Sequence, residues 1–453
     1  MRLLGAVAAL AILGASVASA QAPAFSASGK PLREIYEYLH KNPELSFQEK
    51  NSSAILAAEM KSLGFEVTTG VGDKWTKARA IQEHGKLEDG VGGYGVVAML
   101  KNGKGPTLLI RADMDGLPVV EKTGLPYAST LRDVSWTGEE GGVMHACGHD
   151  VHMTVWIGVA RELVKRKAEW KGTLIMIGQP AEEIGLGAKA MLEDGLFTRW
   201  PRPDFNLALH DFATMPAGTV GYAPGYAMAN TDMVDLTVKG VGGHGAYPQD
   251  AKDPIVLAAR IVGSLQTLVS REIDPLDSAV VTVGAFNGGF KHNIIPDEAK
   301  LLITVRSYAD ATREKLLKGI DRIARGEAIA AGMDEKHMPV LSVKEDYTPS
   351  LYNTPAFTDR IAGVLRKAIG ADKVHVEQPS MAGEDFSRFG RVEPKIPTFL
   401  FWIGAVKQST YDASLKPGAA PLPGLHSSGF APDPDPTIAT GVKAMVAAAL
   451  EVL

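Results

Sequence analysis

The most restrictive feature of this sequence is the segment 144–150, in which the only cysteine of the chain, Cys147, lies between two histidines. Thiolate and neutral imidazole are ligands that zinc-like divalent ions prefer, so this segment indicates a metal site. Two other interpretations stay open from these residues alone. The cysteine could be a small buried hydrophobe, or it could be a thiol nucleophile.

Acidic residues follow two apolar segments that have the pattern of buried strands, 107–111 and 172–178. Open α/β sheets place their ligands beyond the carboxyl ends of such strands, so these acids can meet at one sheet edge. The alternatives are a turn formed by Asp and Gly, and solvated surface glutamates. The acidic residues in question are Asp113, Asp115, Glu182 and Glu183.

Two further histidines have the same kind of placement. His210 follows a short predicted strand, 206–209, and His426 lies in the Gly-rich loop 424–430. The cysteine segment opens a predicted helix, 149–167, whose N-terminal dipole favours thiolate over thiol. A lone histidine is usually structural, but the repetition at strand ends and helix starts favours a single site.

The length of 453 residues exceeds one compact core and predicts two domains. Between residues 233 and 343 the pattern is β-α-β-β-α-β, the order of the split βαβ, ferredoxin-like unit. We therefore expect a catalytic domain formed by residues 24–228 and 346–453. The inserted domain is expected to comprise residues 229–345.

Residues 1–20 differ from the rest of the chain. Arg2 starts a short basic region, residues 3–17 form an apolar run, and residues 18–20 are the small residues Ala-Ser-Ala, which predicts a cleaved signal peptide. The alternative is an uncleaved anchor, although the run is shorter than the about 20 residues that span a bilayer. We expect an exported protein, periplasmic or secreted, in which metal binding gives the unpaired thiol a role.

The composition is that of an ordinary soluble globular protein, with 45% hydrophobic and 22% charged residues. The formal net charge of −5 predicts neither a nucleic-acid partner nor a polybasic membrane patch. After signal cleavage we expect no membrane association, and a small molecule or peptide as substrate.

Taken together, the motifs of this chain resemble the amidohydrolase branch of the di-metal aminoacylase and carboxypeptidase family, peptidase family M-twenty, subfamily D. That branch includes hippurate hydrolases, N-acyl-amino-acid amidohydrolases and hydrolases of auxin–amino acid conjugates. The resemblance covers essentially the whole chain after the leader. The motifs that carry it lie at residues 40–45, 111–115, 144–150, 179–183, 243–246, 293–296 and 383–386.

The resemblance implies an α/β fold, with a mixed-sheet metallopeptidase catalytic domain and an inserted ferredoxin-like (βαββαβ) lid and dimerisation domain. It implies hydrolysis of the amide bond of N-acyl or aryl-acyl amino acids, which releases a carboxylic acid and a free amino acid. A dipeptidase or carboxypeptidase on the same site is the alternative. An inactive metal- or ligand-binding protein is a third, and the presence of Glu182 argues against it. The expected assembly is a homodimer or a higher homo-oligomer.

The resemblance also implies two divalent metal ions per chain, either zinc, manganese, cobalt or nickel. Cys147 would be the ligand that bridges them. Glu182 would be the general base that takes a proton from the metal-bound water to give hydroxide. Asp115 would orient a ligand or this base. The implied metal ligands are Cys147, His149, Glu183, His210 and His426.

Three residues of the inserted domain are implied to act on the substrate. His244 would stabilise the tetrahedral oxyanion, and in related dimers this histidine serves the partner's site. Asn293 and Arg306 would help to hold the substrate carboxylate, Arg306 through its bidentate fork. The alternative for Arg306 is an ordinary surface residue at a strand end.

The chain departs from the family pattern in two segments. Residues 211–216 replace a short aromatic and proline pattern after His210, and the segment 129–141, which includes Trp136, is longer than usual. Both segments flank implied metal ligands. We expect them to influence the choice of substrate more than the type of reaction.

Overall fold

The computed structural model describes residues 25–453, so the predicted signal peptide lies outside the described residues. The first part of this range forms fifteen of the labelled helices and strands. In chain order they are α1 (Leu32–Lys41), α2 (Lys50–Ser62), β1 (Glu66–Val71), α3 (Asp73–His84), β2 (Gly95–Asn102), β3 (Thr107–Asp113), β4 (Arg132–Val134), β5 (Glu140–Gly142), α4 (His149–Lys165), β6 (Gly172–Gln179), α5 (Gly187–Glu193), α6 (Leu196–Arg199), β7 (Phe205–Pro216), β8 (Val220–Tyr222) and β9 (Gly225–Met228).

The remaining elements follow in two groups. The middle of the chain forms β10 (Asn230–Lys239), β11 (Gly243–His244), α7 (Pro254–Thr267), β12 (Ala279–Gly288), β13 (Ile294–Ile295), β14 (Glu298–Ser307), α8 (Asp310–Ala330) and β15 (Val340–Val343). The last part forms β16 (Leu351–Asn353), α9 (Pro355–Ile369), β17 (Val374–Val376), α10 (Ser387–Arg391), β18 (Thr398–Val406), α11 (Gln408–Ser414) and α12 (Pro434–Val452).

The largest structure is an eight-stranded mixed sheet with the order β1-β2-β6-β3-β7-β18-β8-β17. Its central strands β6, β3, β7 and β18 are parallel to one another. All nine residues of β18 are buried, as expected for a central strand that is covered on both faces. Helices α1, α2, α4, α9 and α12 contribute to the core on one face, and α5 and α10 contribute to the core on the other.

The second sheet has four antiparallel strands in the order β12-β14-β10-β15. Buried and exposed residues alternate along β14, because only one face of this sheet packs against α7 and α8. The chain order β-α-β-β-α-β and this strand order are those of the ferredoxin-like unit, so the predicted fold class is confirmed. The domain boundaries at residues 229 and 345 stay a prediction.

The large sheet brings two of the acidic motifs together. Asp113 ends β3 and pairs in register with Gln179, the last residue of β6, so the residues that follow both strands start side by side. His210 does not follow a short strand, as the sequence analysis expected. It lies inside the twelve-residue β7, because β7 pairs with β18 up to Pro216.

Two further elements differ from the sequence expectations. The longer-than-usual segment 129–141, for which no strand was predicted, contains most of a small hairpin, β4 and β5. Helix α3 was not predicted. Among the helices within residues 25–453, none combines the length and apolar composition that a membrane crossing requires.

Candidate metal and catalytic site

The five residues expected to bind metal converge in one small volume. Their ligand atoms form two trios, and within each trio all atoms lie within 4.8 Å of one another. One trio contains Cys147, His149 and His210, and the other contains Cys147, Glu183 and His426. Cys147 is therefore the side chain that the two trios share, which is the position a bridging ligand needs.

Individual distances describe how tight this cluster is. Sγ of Cys147 lies 3.5 Å from Nε2 of His210. Oε2 of Glu183 lies 3.4 Å from Nε2 of His426, and its Oε1 lies 3.8 Å from Nε2 of His149. Glu182 is also adjacent, since its carboxylate, that of Glu183 and the His149 ring form a further group within 4.8 Å.

Tight backbone turns place the ligands. Gly148, between Cys147 and the first residue of α4, has a φ of +75°. A Cβ at this position would lie 2.1 Å from Oδ2 of Asp211, so only glycine fits. Ala181 and His426 also have positive φ, 51° and 63°. Strained backbone of this kind persists where surrounding contacts hold it, and both positions adjoin or form the site.

Asp115 connects the histidine ligand to the acidic turn. Its carboxylate accepts the backbone N–H groups of Glu182 and Glu183, each at 3.1 Å, and the hydroxyl of Ser46 at 2.6 Å. Nδ1 of His149 lies 3.3 Å from Oδ1 of Asp115, which leaves Nε2 of the ring facing the other ligands. Such outer contacts fix the orientation and tautomer of a metal-binding histidine.

His152 lies beside these residues, and the sequence alone did not identify it as part of the site. Its Nδ1 lies 2.6 Å from Oδ1 of Asp113, and its Nε2 accepts the backbone N–H of Asp211 at 2.9 Å. The ring is packed on that of His210, with centroids 4.5 Å apart. The available signal was its spacing, because His149 and His152 are three residues apart on one helix face.

A buried arginine holds together several polar residues that adjoin the site. Arg111 pairs with Asp113 at 2.6 Å and with Glu384 at 2.7 Å, and its Nε donates to Gln179 at 3.0 Å. Asp385, which accepts from Gln179 at 2.6 Å, completes this network. Burial raises the pKa of Asp385 to about 7, although Arg111 opposes the shift. A buried arginine of this kind needs several carboxylate partners, and the Gly383–Phe386 motif supplies two of them.

A second buried network lies behind the metal-binding segment. The ring of His40 lies 2.7 Å from Oδ2 of Asp150 and 3.0 Å from Oε1 of Glu121. Burial alone would lower the pKa of His40, but the hydrogen bonds to these two carboxylates raise it to about 9. The residue after Glu121, Lys122, donates its backbone N–H to the carbonyl of Ser428, so the network reaches the loop of His426.

The electrostatics of the cluster suit divalent cations. Burial raises the pKa of Glu183 to about 8, and it raises the pKa values of Glu182 and Cys147 well above their usual ranges, with neighbouring carboxylates adding to the shift. Oε1 of Glu183 and Nε2 of His149 are buried without a hydrogen-bond partner. Concentrated negative charge and unpartnered ligand atoms are what bound metal ions would satisfy, so the residues fit the expected group.

The three implied substrate residues lie elsewhere. His244 lies in β11, Asn293 directly precedes its partner strand β13, and both are exposed; Gly245 N–H donates to the carbonyl of Asn293. Arg306 is half-buried, and it donates to Oγ1 of Thr231 at 2.7 Å. None of the three belongs to the trios of ligand atoms described above.

The two departures from the family pattern have structural roles. Residues 211–216 continue β7. Trp136, in the hairpin of β4 and β5, is buried against Phe47, with ring centroids 5.2 Å apart, in a cluster that includes Ala181. The influence of these segments on substrate choice stays a prediction.

Known proteins that are similar to this chain belong to the family that its motifs resemble. The family model for peptidase family M20/M25/M40 matches residues 109–417. The N-acetylcysteine deacetylase of Bacillus subtilis is 36% identical over 371 residues, which are 81% of this chain and 86% of that protein. The N-acetyldiaminopimelate deacetylase of Halalkalibacterium halodurans is 35% identical over 392 residues, 85% of this chain and 94% of that protein.

A solved structure is similar over nearly the whole chain. It is the YXEP protein of Bacillus subtilis, described as a dinuclear metal-binding peptidase from the M20 family. The TM-score is 0.68 at 28% identity, and the match covers 93% of this chain and 98% of that one.

These relatives correct one sequence expectation. The prediction of an exported, periplasmic or secreted protein is wrong on this comparison, because it is contradicted by bacterial relatives that match more than 80% of the chain, two of which are named as deacetylases. The leader pattern is a short apolar run with a small-residue end, a signal of low specificity, and it lies outside the described residues.

Proposed function

The chain belongs to peptidase family M20/M25/M40, and from that premise we propose that it hydrolyses the amide bond of N-acyl amino acids. The products are a carboxylic acid and a free amino acid. Two relatives named as deacetylases of N-acetylated amino acids support this substrate class. We take an acyl group on the amino nitrogen of a small amino acid as the common element of the substrates.

One observation carries the proposal, which is the convergence of five ligands in two trios that share Cys147. We propose that these five residues hold two divalent ions, with Cys147 as the bridging ligand. The similar YXEP structure, described as dinuclear, supports this number. When bound, such ions supply Lewis acidity to a carbonyl oxygen and lower the pKa of a coordinated water. Thiolate and imidazole favour zinc, whereas carboxylates also accept manganese, cobalt or nickel.

The protein's own residues supply the proton transfers. We propose Glu182 as the general base, because its carboxylate lies with the ligand atoms of His149 and Glu183 and is not needed in either trio. The raised pKa of Glu182 suits a carboxylate that accepts a proton and then returns it to the leaving amine. Asp115 fixes both the Glu182 backbone and the His149 ring, so we assign it an orienting role.

The substrate side of the site is proposed to come from the inserted unit. Nδ1 of His244 accepts the N–H of Ala246 at 3.0 Å, so in the neutral ring Nε2 carries the hydrogen and can donate to an oxyanion. Because His244 and Asn293 are exposed and outside the metal cluster, we propose that they act in the site of a partner subunit in a homodimer. Arg306 is proposed to bind the substrate carboxylate.

The test begins with metal content, because it requires no guess about the substrate. The full chain, purified without chelator, is expected to hold close to two divalent ions by elemental analysis. Cys147→Ala is expected to lose most of both, since the thiolate belongs to both trios. Chelation should abolish activity, and manganese or zinc should restore it.

The substrate class is tested on the metal-loaded protein with N-acetylcysteine, other N-acetyl and N-aroyl amino acids, and matched dipeptides. Release of free amino acid from the N-acyl compounds is expected. Cleavage of the dipeptides alone would contradict the proposed substrate class and support the dipeptidase alternative. A chain that takes up neither manganese nor zinc would contradict the whole proposal.

A further inference from the structure

Three consecutive backbone N–H groups at the acidic turn are accepted by two buried carboxylates. Asp115 accepts the N–H groups of Glu182 and Glu183. The preceding N–H, that of Ala181, is accepted by Oε1 of Glu49 at 2.7 Å. The turn that carries the proposed base and a proposed metal ligand is therefore held through its backbone by side-chain oxygens.

Glu49 is held in turn by its own segment. It directly precedes α2, its side chain is fully buried, and the same oxygen that accepts from Ala181 also accepts the N–H of Phe47 at 3.0 Å. Phe47 and Ala181 both have positive φ, 62° and 51°. One carboxyl oxygen thus accepts hydrogen bonds from two residues whose positive φ is a backbone conformation that residues other than glycine rarely adopt.

Apolar contacts surround this link. Phe47, Trp136, Ala181 and Leu186 belong to one buried cluster, so the ring of Trp136 supports the same turn through Phe47. The hairpin of Trp136 is tied to the Glu49 segment by a hydrogen bond from Gln48 Nε2 to the carbonyl of Val134, at 2.8 Å. Water therefore has little room to replace Glu49 as the acceptor for the Ala181 amide.

We propose that Glu49 is a positioning residue, which fixes the Ala181 amide and thereby aims the side chains of Glu182 and Glu183 at the reaction site. Without this acceptor the buried Ala181 N–H loses its partner, and an unpartnered buried donor is costly enough to change the local backbone. The proposed base and ligand follow directly in the chain. A displacement of about 1 Å at such residues can cost about 10²-fold in rate. The kinetic consequence rests on the proposed function, whereas the positional role does not.

The test compares two substitutions that differ in the acceptor. Glu49→Gln keeps Oε1, and since burial raises the pKa of Glu49 well above its usual range, an uncharged side chain is the closest match. Glu49→Leu has a similar size but no acceptor. For Glu49→Leu we expect kcat to fall about 10- to 100-fold with KM within about twofold of wild type. The side chains of Glu182 and Glu183 would be mispositioned for the transition state, whereas substrate binding would be retained. Glu49→Gln is expected to stay within about threefold of wild type.

A second measurement does not depend on activity. Hydrogen exchange of a peptide that contains residues 180–187 includes the amide of Ala181 and those of the turn that follows it, and it should be faster in Glu49→Leu than in wild type or Glu49→Gln. Metal content should also fall in Glu49→Leu, because Glu183 is part of the displaced turn.

Glu59→Leu is the matched control. Glu59 is also buried and lies in α2, where it accepts from Arg161 at 2.8 Å. It makes no hydrogen bond to the acidic turn, so this variant should lower Tm without changing kcat. If Glu49→Leu does not fold, Glu49→Asp, which withdraws the acceptor by one methylene, replaces it in the same comparison.

The outcomes separate the two proposals. Unchanged exchange at residues 180–187 together with unchanged kcat in the folded acceptor variant overturns the positioning role. A Glu49→Gln variant as defective as Glu49→Leu also overturns it, because the acceptor would then not be the property that matters. If wild-type protein cleaves no N-acyl amino acid but the exchange difference is present, the positioning role stands and the proposed function fails.

Discussion

The two parts of the proposed active site are built in opposite ways. Around Cys147, most side chains are buried, with His426 as the exposed exception, and most have a second contact that fixes them, as Asp115 does for His149 and Glu49 does for the Glu182 turn. In the inserted unit, His244 on β11 and Asn293 directly before β13 are exposed and make hydrogen bonds to near neighbours.

The difference concerns when each part becomes organised. The buried part is preorganised by the fold of one chain, so its geometry should survive most changes at the surface. Within residues 25–453, the exposed part has no contact that positions it toward the metal cluster, so we expect it to depend on assembly or closure. Substitutions in the buried part should therefore change metal content or the chemical step. Substitutions in the exposed part should instead change the contact with the transition state or depend on subunit pairing.

The largest effect is expected within the buried part, at two adjacent residues. Glu182→Gln should lower kcat about 10²- to 10⁴-fold while metal content stays near that of wild type, because a general base is lost and no ligand is. Glu183→Gln should instead lose metal, as measured by elemental analysis. Wild-type kcat in Glu182→Gln, or metal loss equal in both variants, would contradict the separate roles.

The exposed part should give the next largest effect. His244→Ala is expected to lower kcat about 10²- to 10³-fold, the usual result of losing one oxyanion donor, with metal content unchanged. If His244 acts on the partner's site, coexpression of His244→Ala with Glu182→Gln should restore up to about a quarter of wild-type activity, since half of randomly mixed dimers contain one complete site. Activity of the mixture no greater than the sum of the two variants would contradict action between subunits.

The smallest effect is a pH dependence of stability in the network behind the metal-binding segment. The pKa of His40 is about 9 in the folded protein and about 6.5 in an unfolded chain, so protonated His40 stabilises the fold most below pH 6.5. This contribution, up to about 3 kcal/mol, is lost as the pH rises through 9. His40→Gln should therefore show a smaller fall in Tm than wild type between pH 6.5 and 9.5. Parallel Tm profiles of the two proteins would contradict a charged His40.

Much of the buried part could be predicted from the sequence because parallel strands impose a simple rule. Apolar segments that lead into Asp113 and into Glu182 end at the same edge of the sheet, so their polar residues meet there. The ferredoxin-like order of the inserted unit was likewise predictable from alternating apolar residues. The individual roles of Asn293 and Arg306 stay predictions.

What the sequence did not reveal are contacts between residues far apart in the chain. Arg111 and Glu384, or Glu49 and Ala181, share no local pattern, and each pair exists only because the sheet brings distant segments together. The extent of β7 was missed for the same reason, since β18 pairs with its second half. Helix α3 was missed because it is rich in charged residues and buries only Thr76 and Ala80.

The strand order has a consequence for the synthesis of the chain. β7 pairs with β3 on one side, but its partner on the other side, β18, begins only at Thr398, after the whole inserted unit. During translation the β18-facing edge of β7, with its backbone N–H and C=O groups unpaired, is therefore open for a long interval, a condition that favours chaperone contact and aggregation. The last proposed ligand, His426, emerges later still, so a chain that has acquired its full complement of metal is also a chain in which the inserted unit and β18 have already been synthesised.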